Sequence, residues 1–134
     1  MAETLELEIA TPERELVRER VREVQVPGKN GYLGILPGHA SLIGLLGIGV
    51  LTYDVRGEKR YMAVHNGFIE VADDHVRVLA DTAERAEEID IPRAKNALQR
   101  ALEEGMNPAL GVDPAAALEA MERAQARLDT TDQE

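Results

Sequence analysis

The chain has 134 residues with 25 Asp and Glu against 15 Lys and Arg, a formal net charge of −10, which argues against bulk electrostatic binding to nucleic acid or an anionic membrane. That length suits one compact domain, or one domain with a small appendage. A hydrophobic content of 44% supplies a core that must be mostly aliphatic, since Tyr32, Tyr53, Tyr61 and Phe68 are its only aromatics, and the absence of cysteine excludes disulfides and thiol chemistry.

The opening stretch, MAETLELEIATPE, has neither the basic region nor the apolar region of a secretory leader, so cytosolic exposure is the default expectation. Within it LELEI alternates strictly, with Leu5, Leu7 and Ile9 on one face of a strand and Glu6 and Glu8 on the other. ELVRERVREVQV sets Val17, Val21, Val24 and Val26 among Arg and Glu; the pattern slips once, which predicts a bend or bulge in a strand.

From Gly31 to Tyr53 there is no Asp, Glu, Lys or Arg. A membrane-spanning helix needs about 20 mainly apolar residues, but six glycines, the Pro37-Gly38 turn signal and His39 interrupt this run. It is expected to be strand-turn-strand, buried on both faces, with glycines permitting close sheet packing. RYMAVHNGFIEVADDHVRVLAD then reads as a strand through Val64, an Asn66-Gly67 break, a strand at Phe68–Val71, an Asp73-Asp74 turn and a strand at Val76–Leu79. Asn-Gly marks either a hairpin or a bulge in a long strand. Short strands punctuated by Gly and Pro suggest a β-sandwich or flattened barrel.

After Thr82 the chain becomes rich in Ala, Glu, Leu and Arg, all good helix formers. Asp90 and Pro92 suit the start of one helix, and Gly105 its end. Asp113 and Pro114 open a second helix that runs to Leu128, leaving 129–134 frayed. The GMNPALGVD loop between them allows an antiparallel hairpin. The apolar stripes are small: Ala94, Ala97, Leu98, Ala101 and Leu102 on the first helix, and Leu118, Met121, Ala124 and Leu128 on the second. Burying mainly alanine removes little apolar area at about 25 cal/mol per Å². That argues for a mobile appendage, although a lid fixed on the sandwich has the same sequence pattern.

No catalytic constellation is present. Gly28-Lys29 lacks a phosphate-loop spacing, and Gly44, Gly47 and Gly49 do not form a dinucleotide fingerprint. His39, His65 and His75 are scattered, so no metal site is expected, and Asp73-Asp74 reads as a turn.

VPGKNGYLGILPGHASLIGLLGIGVL, then HNGFIEV, VRVLADTAERAEEID and Arg93-Ala94, resemble the epsilon subunit of the bacterial rotary F-type ATP synthase. The resemblance covers nearly the whole chain. It implies an α+β fold: an N-terminal ten-stranded β-sandwich in 1–84 that binds gamma and the c ring, and an antiparallel two-helix hairpin in 85–134 that regulates. It further implies a non-catalytic central-stalk role coupling proton flow to ATP synthesis, on the cytoplasmic face of the bacterial inner membrane and peripheral to it, without direct membrane insertion. When extended, the helices would reach the alpha and beta subunits and inhibit ATP hydrolysis. By the same resemblance Gly31, Tyr32, Pro37, Gly38 and His39 face gamma and the c ring. Many relatives carry an acid where Tyr32 stands, so a packing or hydroxyl contact replaces a charged one there.

In ATP-binding members the motif I/L-D-x-x-R-A opens the helical domain; here it is Ile89, Asp90, Arg93 and Ala94 around Ile91-Pro92, and Arg100, Arg123 and Arg127 would complete the site. Arg93 and Arg100 are seven apart and Arg123 and Arg127 four apart, so each pair shares a helix face, and a folded hairpin gathers four cations suited to a triphosphate. Glu84 and Asp90 would accept hydrogen bonds from adenine or orient arginines. No cofactor is required, and ATP is the candidate regulatory ligand. Solvated i,i+4 pairs, Glu119–Arg123 and Arg100–Glu104, account for the same arginines without a ligand. A nucleotide-sensing module and a structural adaptor with a docking hairpin remain the competing readings.

Overall fold

The computed structural model describes residues 3–133. Seven strands, β1 (Leu5–Ala10), β2 (Glu15–Val21), β3 (Val24–Gly28), β4 (Gly31–Ile35), β5 (Leu42–Val55), β6 (Glu58–Ala72) and β7 (His75–Arg85), precede α1 (Ile91–Met106) and α2 (Pro114–Asp132). They form one continuous sheet in the order β2-β1-β7-β6-β5-β3-β4. Every pair is antiparallel except β1 on β7.

The sheet closes on itself because its three longest strands turn the same corner. The β5–β6 ladder pairs Leu46 with Gly67 and Ile48 with His65, skipping Gly47 and Asn66; the β6–β7 ladder pairs Gly67 with Ala80 and His65 with Thr82, skipping Asn66 and Asp81. Across that row the inward face changes parity. Leu46 gives way to Leu51 and Tyr53 on β5, Met62 and Val64 to Ile69 and Val71 on β6, and Val76, Val78 and Ala80 to Ala83 on β7. No residue is inserted, and on β6 the change comes from backbone angle: Asn66 sits at φ 54° and Gly67 at φ 119°. The expected break at Asn66-Gly67, left open between a hairpin and a bulge, is therefore a corner within one strand. Dividing β5, β6 and β7 at this corner recovers the ten segments that the resemblance implies; their ladders run through it, and the count is seven.

The core enclosed is aliphatic. Leu5, Leu7 and Ile9 of β1 are fully buried, together with Val21, Val24, Val26, Ile35, Leu46, Leu51 and Ile69, each worth about 1.5–3 kcal/mol relative to exposure. The expected slip in ELVRERVREVQV is larger than a bulge. At Arg22-Glu23 the chain leaves β2, which pairs with β1, and enters β3, which pairs with β4 and β5. The uncharged run is not buried on both faces either: Leu36, Ile43 and Leu45 point outward, 57%, 77% and 63% exposed. Asp73 and Asp74, at φ 51° and 58°, form the tight β6–β7 turn, and Arg56 (φ 56°) and Gly57 (φ 88°) form the β5–β6 turn.

Asp90 caps α1 by accepting the Arg93 N–H at 3.1 Å, and Asp113 caps α2 by accepting the Ala115 N–H at 3.1 Å. Gly105 does not end α1, which continues to Met106; Asn107 closes it by donating its N–H to Glu103 O at 3.0 Å. Residues 129–132 are helical rather than frayed, because Thr130 is fully buried and its hydroxyl donates to Ala126 O at 2.7 Å; Glu134 lies outside the described residues. Ala94 and Ala101 of α1 and Ala117 and Ala124 of α2 are buried, a seven-residue spacing that makes an alanine seam between antiparallel helices. A Cβ on Gly105 would lie 3.7 Å from the Ala117 Cβ.

A Cβ on Gly67 would lie 2.0 Å from Leu79 O and 2.8 Å from Ala80 Cα, backbone atoms that have no room to move. Gly67→Ala is therefore expected to cost about 3 kcal/mol or more in urea denaturation. Gly34→Ala, whose Cβ meets nothing within 4 Å, should change stability by less than about 0.5 kcal/mol.

Candidate functional site

The corner decides where the hairpin rests. Beyond it, outward-facing residues of β5, β6 and β7 form a shelf on which α2 lies. His65 of β6 points up from that shelf: its Nε2 is 3.0 Å from Glu119 Oε1 of α2, and its Nδ1 is 3.3 Å from the Thr82 hydroxyl of β7. Glu119 also accepts from Arg123 Nη1 at 3.2 Å. One turn along α2, Arg127 Nε donates to Glu84 Oε1 of β7 at 2.5 Å. Hydrogen bonding to His65, with help from the charges of Arg123, His65 and Lys29, holds the Glu119 carboxyl below its ordinary pKa.

The hinge between sheet and hairpin is also held by charge. Glu88, in the short turn Ala86–Glu88, accepts the Arg85 N–H at 3.0 Å and pairs with Arg14 of the β1–β2 connection at 3.2 Å. The backbone hydrogen bond from Arg85 and the nearby Arg14 hold the Glu88 carboxyl below its usual range. The Arg85 guanidinium reaches Leu16 O of β2.

The residues expected to bind a nucleotide divide into three sets. Ile89 and Ala94 are buried, Ile89 in the hinge and Ala94 in the seam. Asp90 is engaged as the α1 cap. The four arginines lie along the hairpin: Arg93 and Arg100 immediately precede the seam alanines Ala94 and Ala101, and Arg123 immediately precedes Ala124. At about 100° per residue this turns all three to the same flank of an antiparallel pair, with Arg127 one turn beyond Arg123. Arg123 and Arg127 are paired with Glu119 and Glu84, whereas Arg93 and Arg100 enter no ion pair among the described residues.

The expected partner-facing turns do not converge on one point. Gly31, at φ 133°, and Tyr32 open β4, while Pro37, Gly38 and His39 follow its other end. Gly38 N–H donates to Asp74 Oδ1 at 2.6 Å, and His39 Nδ1 lies 2.7 Å from Ala40 O, so that loop is tied to the β6–β7 turn. Tyr32 has an internal task. The β3–β5 register slips between Gln25 and Gly28, and the Tyr32 hydroxyl accepts the Val50 N–H at 3.0 Å. A Cβ on Gly49 would lie 2.6 Å from that hydroxyl oxygen and 2.8 Å from Pro27 Cβ, so glycine is needed there to let the tyrosine in.

Two features escaped the sequence reading. One is His65 as the sheet partner of Glu119, visible in sequence only as a lone histidine. The other is an apolar strip on the half of the sheet that the hairpin leaves open: Leu45 pairs with Phe68, and Phe68 with Leu79, across β5, β6 and β7. Leu45 is 63% and Phe68 48% exposed, with Ile43 beside them. Alternating outward positions in an uncharged strand were the available signal.

Residues 4–86 match the model for the ATP synthase Delta/Epsilon chain β-sandwich domain. The ATP synthase epsilon chain of Solibacter usitatus (strain Ellin6076) is 71% identical over 132 residues, 98% of each chain. The chain belongs to the ATP synthase epsilon chain family. The epsilon chain of Koribacter versatilis (strain Ellin345) is 54% identical over 101 residues, 75% of this chain and 71% of that one. A chain in the cryo-EM structure of the Euglena gracilis mitochondrial ATP synthase (OSCP/F1/c-ring, rotational state 1) superposes with a TM-score of 0.84 at 24% identity, over 96% of this chain and 81% of its own length. That likeness shows that sheet and hairpin together share the fold of that chain. An epsilon chain is a non-catalytic subunit of its enzyme, and among the described residues no helix is long and apolar enough to cross a membrane.

The lowered Glu119 pKa sets a pH dependence for hairpin docking. Its carboxyl binds a proton less readily docked than released, so its support for docking is present above the ordinary carboxylate range and is lost as pH falls through the lowered docked value. Amide protection of α2 is expected to fall on acidification below about pH 4 while that of β1 persists. In Glu119→Gln the α2 protection should be weaker near neutrality and lose this acid-dependent component, as read by hydrogen exchange.

Proposed function

We propose that the chain is the central-stalk epsilon subunit of a rotary F-type ATP synthase. Its sheet binds gamma and rests on the c ring, so that proton flow through the ring is coupled to ATP synthesis, and its hairpin restrains ATP hydrolysis when extended toward the alpha and beta subunits. The observation that carries this reading is the division of the sheet's outer surface. One half is covered by the chain's own helices. The other presents Ile43, Leu45 and Phe68 to solvent, an apolar strip that a partner would cover. Family membership makes gamma the partner of choice, with the turns at Gly31-Tyr32 and Pro37–His39 left for the remaining stalk contacts. The complex would sit at the cytoplasmic face of the bacterial inner membrane.

ATP is the proposed regulatory ligand of the docked hairpin, held by Arg93, Arg100, Arg123 and Arg127, with the adenine near Ile89, Asp90 and Ala94. Support comes from the shared flank of the arginines. A triphosphate there would compete with Glu84 and Glu119 for Arg127 and Arg123 and add charge-assisted hydrogen bonds to Arg93 and Arg100. A ligand that binds only the docked hairpin shifts the population toward it.

Replacing Phe68 and Leu45 by glutamate is expected to weaken co-purification with gamma by about 30-fold or more, with the circular dichroism spectrum unchanged. Undiminished gamma binding would sink the proposed face. Calorimetric titration with ATP should give a saturable isotherm that Arg93→Ala with Arg127→Ala abolishes; no heat at millimolar ATP would leave Arg127 as the partner of Glu84 alone and Arg93 as a solvated side chain.

A further inference from the structure

A groove of about 400 Å³ runs along the other flank of the hairpin. Leu102 and Gln125, which line it, immediately follow the seam alanines that Arg100 and Arg123 precede, so helix geometry turns the groove away from the arginines. The sheet supplies its floor through Tyr32 and Ile48, and the helices its walls through Leu98, Leu102 and Met121. The floor is rigid, because the Tyr32 hydroxyl is fixed by the Val50 N–H.

The rim is acidic. Glu122 and Asp129 both line the groove, and no Lys, Arg or His does. Asp129 accepts the Gln125 side-chain amide at 2.8 Å, which leaves its charge uncancelled. Glu122 enters no ion pair among the described residues. Lys29 lines an adjoining cavity together with Glu122. The two carboxylates stand seven positions apart on α2, hence on one face with about 10 Å between them along the helix axis.

We propose that this groove binds an elongated aliphatic dication, a diamine or polyamine. Its apolar middle lies over Tyr32, Leu98, Leu102 and Met121, and an ammonium reaches each of Glu122 and Asp129. A monoamine satisfies one carboxylate, and a short diamine leaves most of the apolar middle uncovered. Because the floor belongs to the sheet and the walls to the helices, an occupied groove favours the docked hairpin. The site is independent of the arginine flank and of any nucleotide there.

Titration of the full chain by methyl NMR, with diaminooctane as probe, tests this. Saturable shifts are expected at the Ile48, Leu98, Leu102 and Met121 methyls, with affinity about fivefold higher than for octylamine or diaminobutane, since solvent-exposed ion pairs each contribute a few-fold. Octanediol should bind more weakly still. Glu122→Gln with Asp129→Asn, both on the groove's rim, should erase the preference for diaminooctane over octylamine while leaving the sheet methyls in place. Hairpin amides should exchange more slowly in the presence of diaminooctane. Equal binding of diol and diamine, shifts confined to other acidic surfaces, or no shift at millimolar diaminooctane would each overturn the proposal.

Discussion

The fold depends on one row of backbone, Gly47 beside Asn66 beside Asp81, where three long strands invert their inward face together. A sheet of this width could continue as a twisted ribbon, but its apolar residues would then face the same layer throughout. The corner lets one strand contribute to both layers of a sandwich without breaking its ladder. Its cost is concentrated at Gly67, whose φ and lack of side chain admit Leu79 O at a distance no Cβ tolerates. Because the inversion exchanges which residues face outward, it also creates the two surfaces on which function rests: a shelf of His65, Thr82 and Glu84, and a strip of Leu45 and Phe68.

Those surfaces differ in chemistry in a way that suits different lifetimes of contact. The shelf holds α2 by hydrogen bonds and ion pairs that are partly exposed, over helices whose own seam is alanine. Contacts of that kind are individually modest, and alanine burial adds little area, so each contributes little to holding the hairpin on the sheet. The strip is apolar, and a partner bound there would rest on strands whose other face is core.

Tyr32 illustrates how a single residue couples these parts. At the start of β4 this chain places an aromatic ring whose hydroxyl accepts the Val50 N–H beside the β3–β5 register slip. The ring then faces the underside of the hairpin and forms the floor of its groove. Gly49 is obligatory beneath it, so two residues far apart in the chain are tied to one geometry.

Much of this was legible in sequence. Strict alternation in LELEI placed Leu5, Leu7 and Ile9 in the core, Asp90 and Asp113 marked both helix starts, and the VLADTAERAEEID junction carried the family. Local rules suffice there because periodicity and capping act over a few residues. What only the tertiary structure decided is which faces meet. Parity within β6 was unreadable because Asn66 and Gly67 change it through backbone angle, leaving no trace in the count of residues. The separation of β2 from β3 at Arg22-Glu23, the helical end of α2 held by Thr130, and the reach of Glu119 to His65 across 54 positions are long-range events. They depend on burial and pairing with residues distant in sequence, which a local pattern does not encode.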